Sequence, residues 1–251
     1  MRYIIAIDQS TSATKAVLFD EQCRLIDRKN VAHHQYYPQA GWVEHDAEEI
    51  YRNTVEAIRR LMEGRTDADA SYSLAITNQR ETVVVWNRLT GKPVFHAVVW
   101  QCQRGADICE DLKQRGYTEF IRERSGLLID PYFAASGAKW ILDNVDGARD
   151  AAERGELLMG TIDSWLVWKL TGGRVHATDY TNASRTLLFN IHTLDWDDEL
   201  LSLFTIPRSM MAEPHPCDSV FGETTVEGIF SSPITIAGVL GDSHGALAGQ
   251  M

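Results

Sequence analysis

The start of the chain alternates between apolar runs and a short polar segment. Residues 3–7 and 15–19 are largely apolar, and residues 8–14 between them are small and polar. Two apolar runs separated by turn residues are typical of a β-hairpin. The pattern therefore predicts two strands joined at a tip rich in hydroxyl groups, followed by a third strand over residues 24–32.

Helical periodicity begins at Asp46. Apolar residues recur every three to five positions from there to about Met62, and they are Ile50, Val55, Ile58 and Leu61. This spacing predicts an amphipathic helix with one buried side. Further strands are predicted over residues 72–77, 82–86, 95–100 and 233–240, and further helices over residues 105–115, 134–145, 163–170 and at the very end of the chain.

Strand and helix patterns alternate without a repeat period or a low-complexity linker. Such alternation predicts an α/β fold with a mixed sheet flanked by helices. The apolar residues 246–248 would normally pack against something that follows them. We therefore expect a second domain beyond Met251, and a complete small domain with a frayed end is the alternative.

Composition and charge exclude several classes of protein. Lys and Arg total 24 against 35 Asp and Glu, a net charge of −11, so no nucleic-acid partner is expected. No apolar run approaches the ~20 residues that a membrane span requires. The four cysteines lack CxxC spacing and no secretory signal precedes them, which is typical of a soluble cytoplasmic protein with reduced thiols.

The predicted hairpin tip, residues 8–15, combines a carboxylate (Asp8), several hydroxyl groups, backbone N–H groups and an ammonium group (Lys15). Such a turn can bind phosphates and hold Mg²⁺. It matches neither the P-loop nor the dinucleotide-binding pattern. Because Ser, Thr and Asp are common in turns for local hydrogen bonding, the tip taken alone favours a purely structural role.

Two further segments carry candidate binding residues. Arg80 and Glu81 stand between two predicted strands, where a cation beside an anion can donate to and accept from the hydroxyl groups of a ligand. A surface ion pair of little energetic weight is the alternative. Tyr132 follows an Asp-Pro turn and Trp100 closes a predicted strand, and both are equally consistent with core packing.

The segment GDSHG at 241–245 permits two enzymatic interpretations. It matches G-x-S-x-G, with Ser243 as the nucleophile of a serine hydrolase, but only six residues remain for the acid and histidine that should follow. The other interpretation makes Asp242 a general base at the carboxyl end of a strand, where ligands bind in open α/β sheets. The histidines show no zinc-binding spacing.

Several segments, in order along the chain, resemble the FGGY carbohydrate kinases and among them the bacterial glycerol kinases. The matching segments are AIDQ (6–9), GWVEHD (41–46), TNQRET (77–82), WQC (100–102), IDPYF (129–133), GELL (155–158), GTID (160–163), TNASRT (181–186) and FNIHTLDWDD (189–198). The resemblance covers essentially the whole chain.

The resemblance implies ATP-dependent phosphorylation of glycerol to sn-glycerol 3-phosphate by a two-domain enzyme of the actin and hexokinase (ribonuclease H-like) type. Residues 1–251 would form the first, substrate-binding domain, and the C-terminal nucleotide-binding domain would be absent. The chain alone is then expected to have little activity. A homo-oligomer is compatible with this family assignment. The alternatives are a kinase for another polyol or ketose such as erythritol or xylulose, the serine hydrolase, and a non-catalytic polyol-binding module.

The resemblance also implies a role for each matching position. Asp242 corresponds to the catalytic base. The positions that correspond to polyol contacts are Arg80, Glu81, Trp100, Tyr132, Asp242 and Ser243. Nucleotide phosphates are expected at Thr11, Ser12, Ala13 and Lys15, and Mg²⁺ is expected at Asp8 and Asp242, through water in the case of Asp8.

Some positions depart from the family pattern. Ser10 replaces the usual glycine, and Lys15 replaces the arginine of many relatives, so a point charge stands where a bidentate fork would be. Ser243 and His244 replace two glutamines, which leaves room for a bulkier polyol. Residues 226–232 include no basic residue, so we expect none of the sugar-bisphosphate inhibition that acts through this loop in some relatives.

Overall fold

The computed structural model of the chain describes residues 1–65 and 70–250. Its strands are β1 (Arg2–Gln9), β2 (Ala13–Asp20), β3 (Leu25–Ala32), β4 (Glu44–His45), β5 (Ser71–Asn78), β6 (Val83–Asn87), β7 (Ala97–Val98), β8 (Leu157–Thr161), β9 (Ala177–Asp179), β10 (Phe189–Asn190), β11 (Asp195–Trp196), β12 (Glu213–His215), β13 (Glu223–Thr224) and β14 (Ile234–Gly241). Its α-helices are α1 (Ala47–Met62), α2 (Ala106–Gln114), α3 (Thr118–Ser125), α4 (Ala134–Asn144), α5 (Ala148–Glu153), α6 (Ile162–Leu170), α7 (Tyr180–Ala183), α8 (Asp198–Leu203) and α9 (Asp242–Ala248), with a 3₁₀ turn at Arg208–Met210.

The larger sheet has six strands in the order β13-β14-β5-β1-β2-β3. Strands β1, β5 and β14 run parallel to one another, and β2, β3 and β13 run antiparallel to their neighbours. This confirms the predicted mixed sheet and the amino-terminal hairpin. The strands extend further than predicted, because Asp8 still pairs with Lys15 and Gln9 with Thr14, so the turn itself is only residues 10–12.

Helix α1 covers one face of this sheet, as its apolar spacing predicted. The Asp46 side chain accepts a hydrogen bond from the backbone N–H of Glu48 at 2.8 Å, which caps the first turn. The predicted apolar side is buried: Ile50, Val55, Ile58 and Leu61. These residues join Ile5, Ile7 and Leu74 of the sheet in one core, to which α6 adds Trp165 and Leu166.

A second, four-stranded antiparallel sheet in the order β4-β7-β6-β8 lies beside the first core. Successive side chains of a strand point to opposite faces. Val84 and Trp86 of β6 therefore lie in the first core, whereas Val83 and Val85 lie in a second core with helices α2 to α5. The two cores thus share strand β6, whose two faces each contribute side chains to one core.

The strand predicted over residues 95–100 is wrong in extent, since only Ala97–Val98 (β7) is extended and paired. Val99 N still donates to Val43 O at 3.1 Å, which lies opposite it in the β4–β7 register. The pairing ends after this bond, because Trp100 N donates to the Thr82 side chain at 3.3 Å and Cys102 N turns back to Val99 O at 2.8 Å. The elements that were not predicted are the strands β4 and β8 to β13 and the helices α3, α5, α7 and α8.

All four cysteines are free thiols, with Cys102 and Cys109 buried and Cys23 and Cys217 exposed. Within the described residues, no helix combines the length and the apolarity that crossing a membrane requires.

The packing of α1 gives a test of the first core. Ile58 is fully buried, so Ile58→Ala removes buried methyl groups and leaves a cavity that should cost roughly 2–5 kcal/mol of unfolding free energy. Leu89 is 83% exposed, and Leu89→Ala should stay within about 0.5 kcal/mol of the wild type. Urea denaturation followed by circular dichroism measures both, and equal midpoints for the two variants would contradict this assignment of the core.

Candidate active site

Three parallel strands end at the same edge of the larger sheet. The last paired positions are Gln9 in β1, Asn78 in β5 and Gly241 in β14, which lie in register across the sheet. Asp8 immediately precedes this row, and Arg80 and Asp242 follow it. Because ligands bind beyond the carboxyl ends of strands in open α/β sheets, this edge is the candidate site.

Asp8 and the start of α9 lie on the same face of the sheet. Asp8 is in register with Thr77, and Thr77 with Leu240, so these side chains share one face. A Cβ atom placed on Gly245 of α9 would lie 3.4 Å from the Thr77 hydroxyl and 3.6 Å from the Leu240 side chain. Helix α9, which begins at Asp242, therefore covers the face that Asp8 occupies.

Arg80 holds the carboxylate of Asp242 in place. Its Nε donates to Asp242 Oδ1 at 3.0 Å and its Nη2 to Ser243 Oγ at 2.9 Å. The Arg80 side chain is 13% exposed, whereas that of Asp242 is 46% exposed. This approach requires a glycine at position 241, since a Cβ atom there would lie 2.6 Å from Arg80 Cδ. The result is an oriented carboxylate that solvent and ligands can reach.

Glu81 lies behind this pair and is almost completely buried. Arg185 Nε donates to its carboxylate at 2.6 Å, and Arg80 Nε lies 3.9 Å away. Burial raises the pKa of Glu81, and the two neighbouring arginines oppose that shift. Its backbone φ of +63° lies in the left-handed region, which non-glycine residues seldom adopt outside turns and functional sites.

Two aromatic rings connect the hairpin turn to Glu81. Trp100 Nε1 donates to Thr11 Oγ1 at 3.0 Å, and the rings of Trp100 and Tyr132 meet edge to face at 5.4 Å. The Arg185 guanidinium lies 5.9 Å from the Tyr132 ring. Burial, and then the charge of Glu81, raises the pKa of Tyr132. Both rings are partly exposed and pack against the second core, so they can line the site from the edge of that core.

The hairpin turn directs several groups away from the strands. Ser10 donates to Ala13 O through both its N–H and its hydroxyl group, each at 2.9 Å. The N–H groups of Thr11 and Ser12 make no hydrogen bond to any part of the chain that the structure describes. The Ala13 side chain is buried, so this residue could contribute only backbone atoms to a ligand.

Carboxylates at this edge are sparse. Asp8 Oδ2 binds Lys15 Nζ at 2.6 Å, and the second oxygen atoms of Asp8 and of Asp242 make no hydrogen bond to residues 1–65 or 70–250. Those same residues include no group of three or more His, Cys, Asp or Glu side chains placed to hold a metal ion. A cation here would therefore take much of its coordination from a ligand and from water.

Comparison with known proteins decides the family. The model of the FGGY family of carbohydrate kinases, N-terminal domain, matches residues 3–249. The chain belongs to this family.

Several of its curated relatives are glycerol kinases. The chain is 56% identical to glycerol kinase 1 of Thermotoga maritima over 99% of its length and 50% of the relative's, and 52% identical to the glycerol kinase of Bacillus cytotoxicus with the same coverage. It therefore spans about half the length of the curated relatives that it matches.

Solved structures confirm the expected actin and hexokinase type of fold. The ADP-bound glycerol kinase of Plasmodium falciparum superimposes with a TM-score of 0.95 at 34% identity, over 100% of this chain and 50% of that one. A xylulose kinase from Rhodospirillum rubrum superimposes with a TM-score of 0.86 at 19% identity, covering 96% of this chain and 49% of that one, and it supports the fold alone.

The hydrolase interpretation finds no support in the geometry of this FGGY domain. Ser243 Oγ accepts from Arg80 at 2.9 Å and lies 3.4 Å from Asp242 Oδ1. In the described part of the chain no imidazole is hydrogen-bonded to this hydroxyl group, as activation of a serine nucleophile would require. Nδ1 of the adjacent His244 is buried without a partner among the described residues, and burial lowers the pKa of its imidazole.

Arg185 and Thr181 belong to the site but were not predicted as site residues. Arg185 lies 104 positions from Glu81 in sequence and 2.6 Å from it in space. Thr181 Oγ1 accepts a hydrogen bond from Gly241 N at 2.8 Å. Both lie in the TNASRT segment (181–186), whose resemblance to the family was the available signal.

Removing the arginine that pairs with Glu81 tests this buried ion pair. Arg185→Ala leaves the Glu81 carboxylate with Arg80 alone at 3.9 Å, and unpairing a buried charge should cost about 3 kcal/mol of unfolding free energy near pH 8. Burial raises the pKa of Glu81 above its ordinary value of 4.5, and loss of Arg185 raises it further. The folded state then holds the proton more tightly than the unfolded state, so the penalty shrinks as the pH falls through the folded pKa.

Urea denaturation near pH 8 and again near pH 5 measures that penalty. Arg154 pairs with Glu156 on the surface, where the two side chains are 58% and 38% exposed, so Arg154→Ala is the matched control and should change stability little at either pH. A penalty for Arg185→Ala that is no larger near pH 8 than near pH 5 would contradict a charged, buried Glu81.

Proposed function

We propose that this chain is the substrate-binding domain of an ATP-dependent glycerol kinase. The observation that carries the proposal is the half-exposed carboxylate of Asp242, held by Arg80 at 3.0 Å at the sheet edge where the hairpin turn also lies. A terminal hydroxyl group of glycerol attacks the γ-phosphorus of ATP while Asp242 accepts its proton, and the products are sn-glycerol 3-phosphate and ADP. Phosphoryl transfer of this kind depends on positioning and on charge stabilisation.

The polyol is bound beside Asp242 in this proposal. Arg80 donates to hydroxyl groups of the substrate and Glu81 accepts from them, because a guanidinium has only donors and a carboxylate only acceptors. The partly exposed ring of Trp100 flanks the carbon skeleton, and the neighbouring Tyr132 contacts a hydroxyl group of the polyol. Ser243 adds a hydroxyl group at the other side of Arg80. Each group is fixed by a neighbour before the substrate arrives, which favours a reactive orientation.

The hairpin turn receives the phosphates. The free N–H groups of Thr11 and Ser12 and the ammonium group of Lys15 provide donors and positive charge, with Ala13 contributing its backbone. Asp8 and Asp242 each have a carboxylate oxygen free of hydrogen bonds within the described ranges, which suits Mg²⁺ bound largely to phosphate and water. When bound, Mg²⁺ would offset the negative charge of the phosphates.

A second domain completes the enzyme in this proposal. The matched relatives are about twice as long as the chain, which covers 50% of their length. That second half would supply the adenine pocket, and closure of the cleft between the domains would exclude water from the reaction.

Another polyol is the second candidate substrate. Ser243 is exposed and its hydroxyl group is engaged by Arg80, so the pocket is more open here than with the longer glutamine of the family pattern. Erythritol or xylulose would use the additional space, with the same chemistry at Asp242.

Replacement of the proposed base tests the chemistry. In the complete enzyme, with the second half present, Asp242→Asn should lower kcat by about 10²–10⁴-fold, because general-base catalysis contributes that much, while glycerol still binds. The control Asp107→Asn changes an exposed aspartate of α2 and should leave kcat unchanged. Release of ADP in the presence of glycerol is the assay, and wild-type turnover by Asp242→Asn would remove this residue from its role.

The chain alone should bind polyol without turning it over. Calorimetric titration of the chain with glycerol, erythritol and xylulose ranks the substrates, and we expect glycerol to bind most tightly. ADP release by the same preparation should stay at background, since the adenine pocket is missing in this proposal. Robust glycerol-dependent turnover by the chain alone would show that the second domain is not required.

A further inference from the structure

A buried polar network lies directly behind the candidate active site. It consists of Asn78, Asp179, Thr181 and Asn182, of which all but Thr181 are completely buried. It lies between the end of β5, the end of β9 and the last residue of β14. Buried polar groups are tolerated when they are mutually hydrogen-bonded, so their arrangement constrains whatever is attached to them.

Asp179 is the anchor of this network. Its Oδ2 accepts from Thr181 N at 2.9 Å and from Thr181 Oγ1 at 2.6 Å. Its Oδ1 accepts from Asn182 N at 3.0 Å and from Asn182 Nδ2 at 2.8 Å. The side chains of Asn182 and Asn78 donate to each other, at 3.1 and 2.9 Å. Thr181 therefore cannot shift without disturbing the end of β5.

The direction of the hydrogen bonds at Thr181 is settled by chemistry. A carboxylate only accepts, so the hydroxyl hydrogen of Thr181 points to Asp179. The lone pairs of the same oxygen are then free to accept the N–H of Gly241, at 2.8 Å. That N–H belongs to the last residue of β14, which is also the N-cap of α9, where backbone donors lack partners within the helix. Asp179 thus orients a hydroxyl group that fixes the backbone immediately before Asp242.

Two side chains approach Gly241 closely. A Cβ atom on it would lie 2.6 Å from Arg80 Cδ and 3.3 Å from Thr181 Oγ1, so these side chains occupy the space that a larger residue would need. Arg80 then reaches forward to Asp242. A few residues after Thr181, Arg185 binds Glu81 at 2.6 Å. Residues 179–185 thus contact both the approach to Asp242 and the residue next to Arg80.

We propose that Thr181 is a positioning residue for Asp242, acting through the N–H of Gly241 and held by Asp179. The inference rests on the proposed kinase function, because it assigns Asp242 the role of base. Its physical basis is that small displacements of reacting groups reduce rates far more than they reduce binding. Thr181 is not among the residues proposed to contact either substrate.

Two substitutions separate positioning from simple stability. In the complete enzyme, Thr181→Val keeps the shape and removes the hydroxyl group, and kcat should fall on the order of 10- to 100-fold, with the glycerol KM changed by less than about threefold. Thr181→Ser restores the hydroxyl group and should recover kcat to within about threefold of the wild type. Both are compared at a temperature at which circular dichroism shows every variant folded.

Thr178→Val is the matched control. Thr178 is a buried threonine that donates to the buried carboxylate of Asp163 at 2.6 Å, and neither residue bonds to β14 or α9 in the part of the chain that the structure describes. If loss of a buried hydroxyl group lowers kcat only by reducing the stability of the fold, Thr178→Val lowers kcat as much as Thr181→Val does. The positioning role predicts that kcat of Thr178→Val stays within about threefold of the wild type.

Hydrogen exchange at the Gly241 amide gives a readout that does not depend on turnover. Measured by NMR on this chain, the amide should exchange at least about tenfold faster in Thr181→Val than in wild type or Thr181→Ser, because its acceptor is gone. Unchanged exchange, or equal kcat losses for the two valine variants, overturns the positioning role. If the wild-type complete enzyme releases no ADP with glycerol, the proposed function has failed instead, and the exchange rate alone decides whether Thr181 holds Gly241.

Discussion

The parallel pairing of β1, β5 and β14 is the constraint on which the rest of the site depends. In-register parallel strands end at one edge, so Asp8, Arg80 and Asp242 lie at that edge although they are far apart in sequence. A shift of one strand by a single residue would move its side chains to the opposite face. Asp8 would then point into the core that contains Ile5 and Ile7, away from α9. The register of these strands therefore determines the geometry of the site.

Close backbone approach is the second requirement, and it explains why glycine ends β14. Arg80 can lie across the chain to reach Asp242 only because position 241 lacks a Cβ atom. The same absence lets the Thr181 hydroxyl group approach the Gly241 N–H. One small residue thus lets a cation and a hydroxyl group approach the backbone that precedes the carboxylate, and these contacts fix the start of α9.

Local pattern was sufficient to predict most elements of the fold. The hairpin, α1 and the final strand follow from apolar spacing, because each buries a regular set of side chains in one core. The prediction made β7 too long, because the end of this strand is set by turn hydrogen bonds and by a hydrogen bond to the side chain of the distant residue Thr82. The pairing of Arg185 with Glu81 across 104 positions is likewise a tertiary property. Resemblance indicated that its segment mattered, and only the folded chain shows what Arg185 touches.

Three carboxylates near the strand ends show how burial separates structural from chemical tasks. Asp163 is fully buried, and burial together with the charge of Asp179 raises its pKa to about 7, while two threonine hydroxyl groups bind it. Glu81 is buried but balanced by arginines. A general base must be anionic and must be reached by its substrate, and a carboxylate enclosed by protein satisfies neither condition easily. Of the three, Asp242 combines a fixed orientation with 46% exposure, so the proposed mechanism assigns proton transfer to Asp242 and leaves Glu81 to orient the polyol.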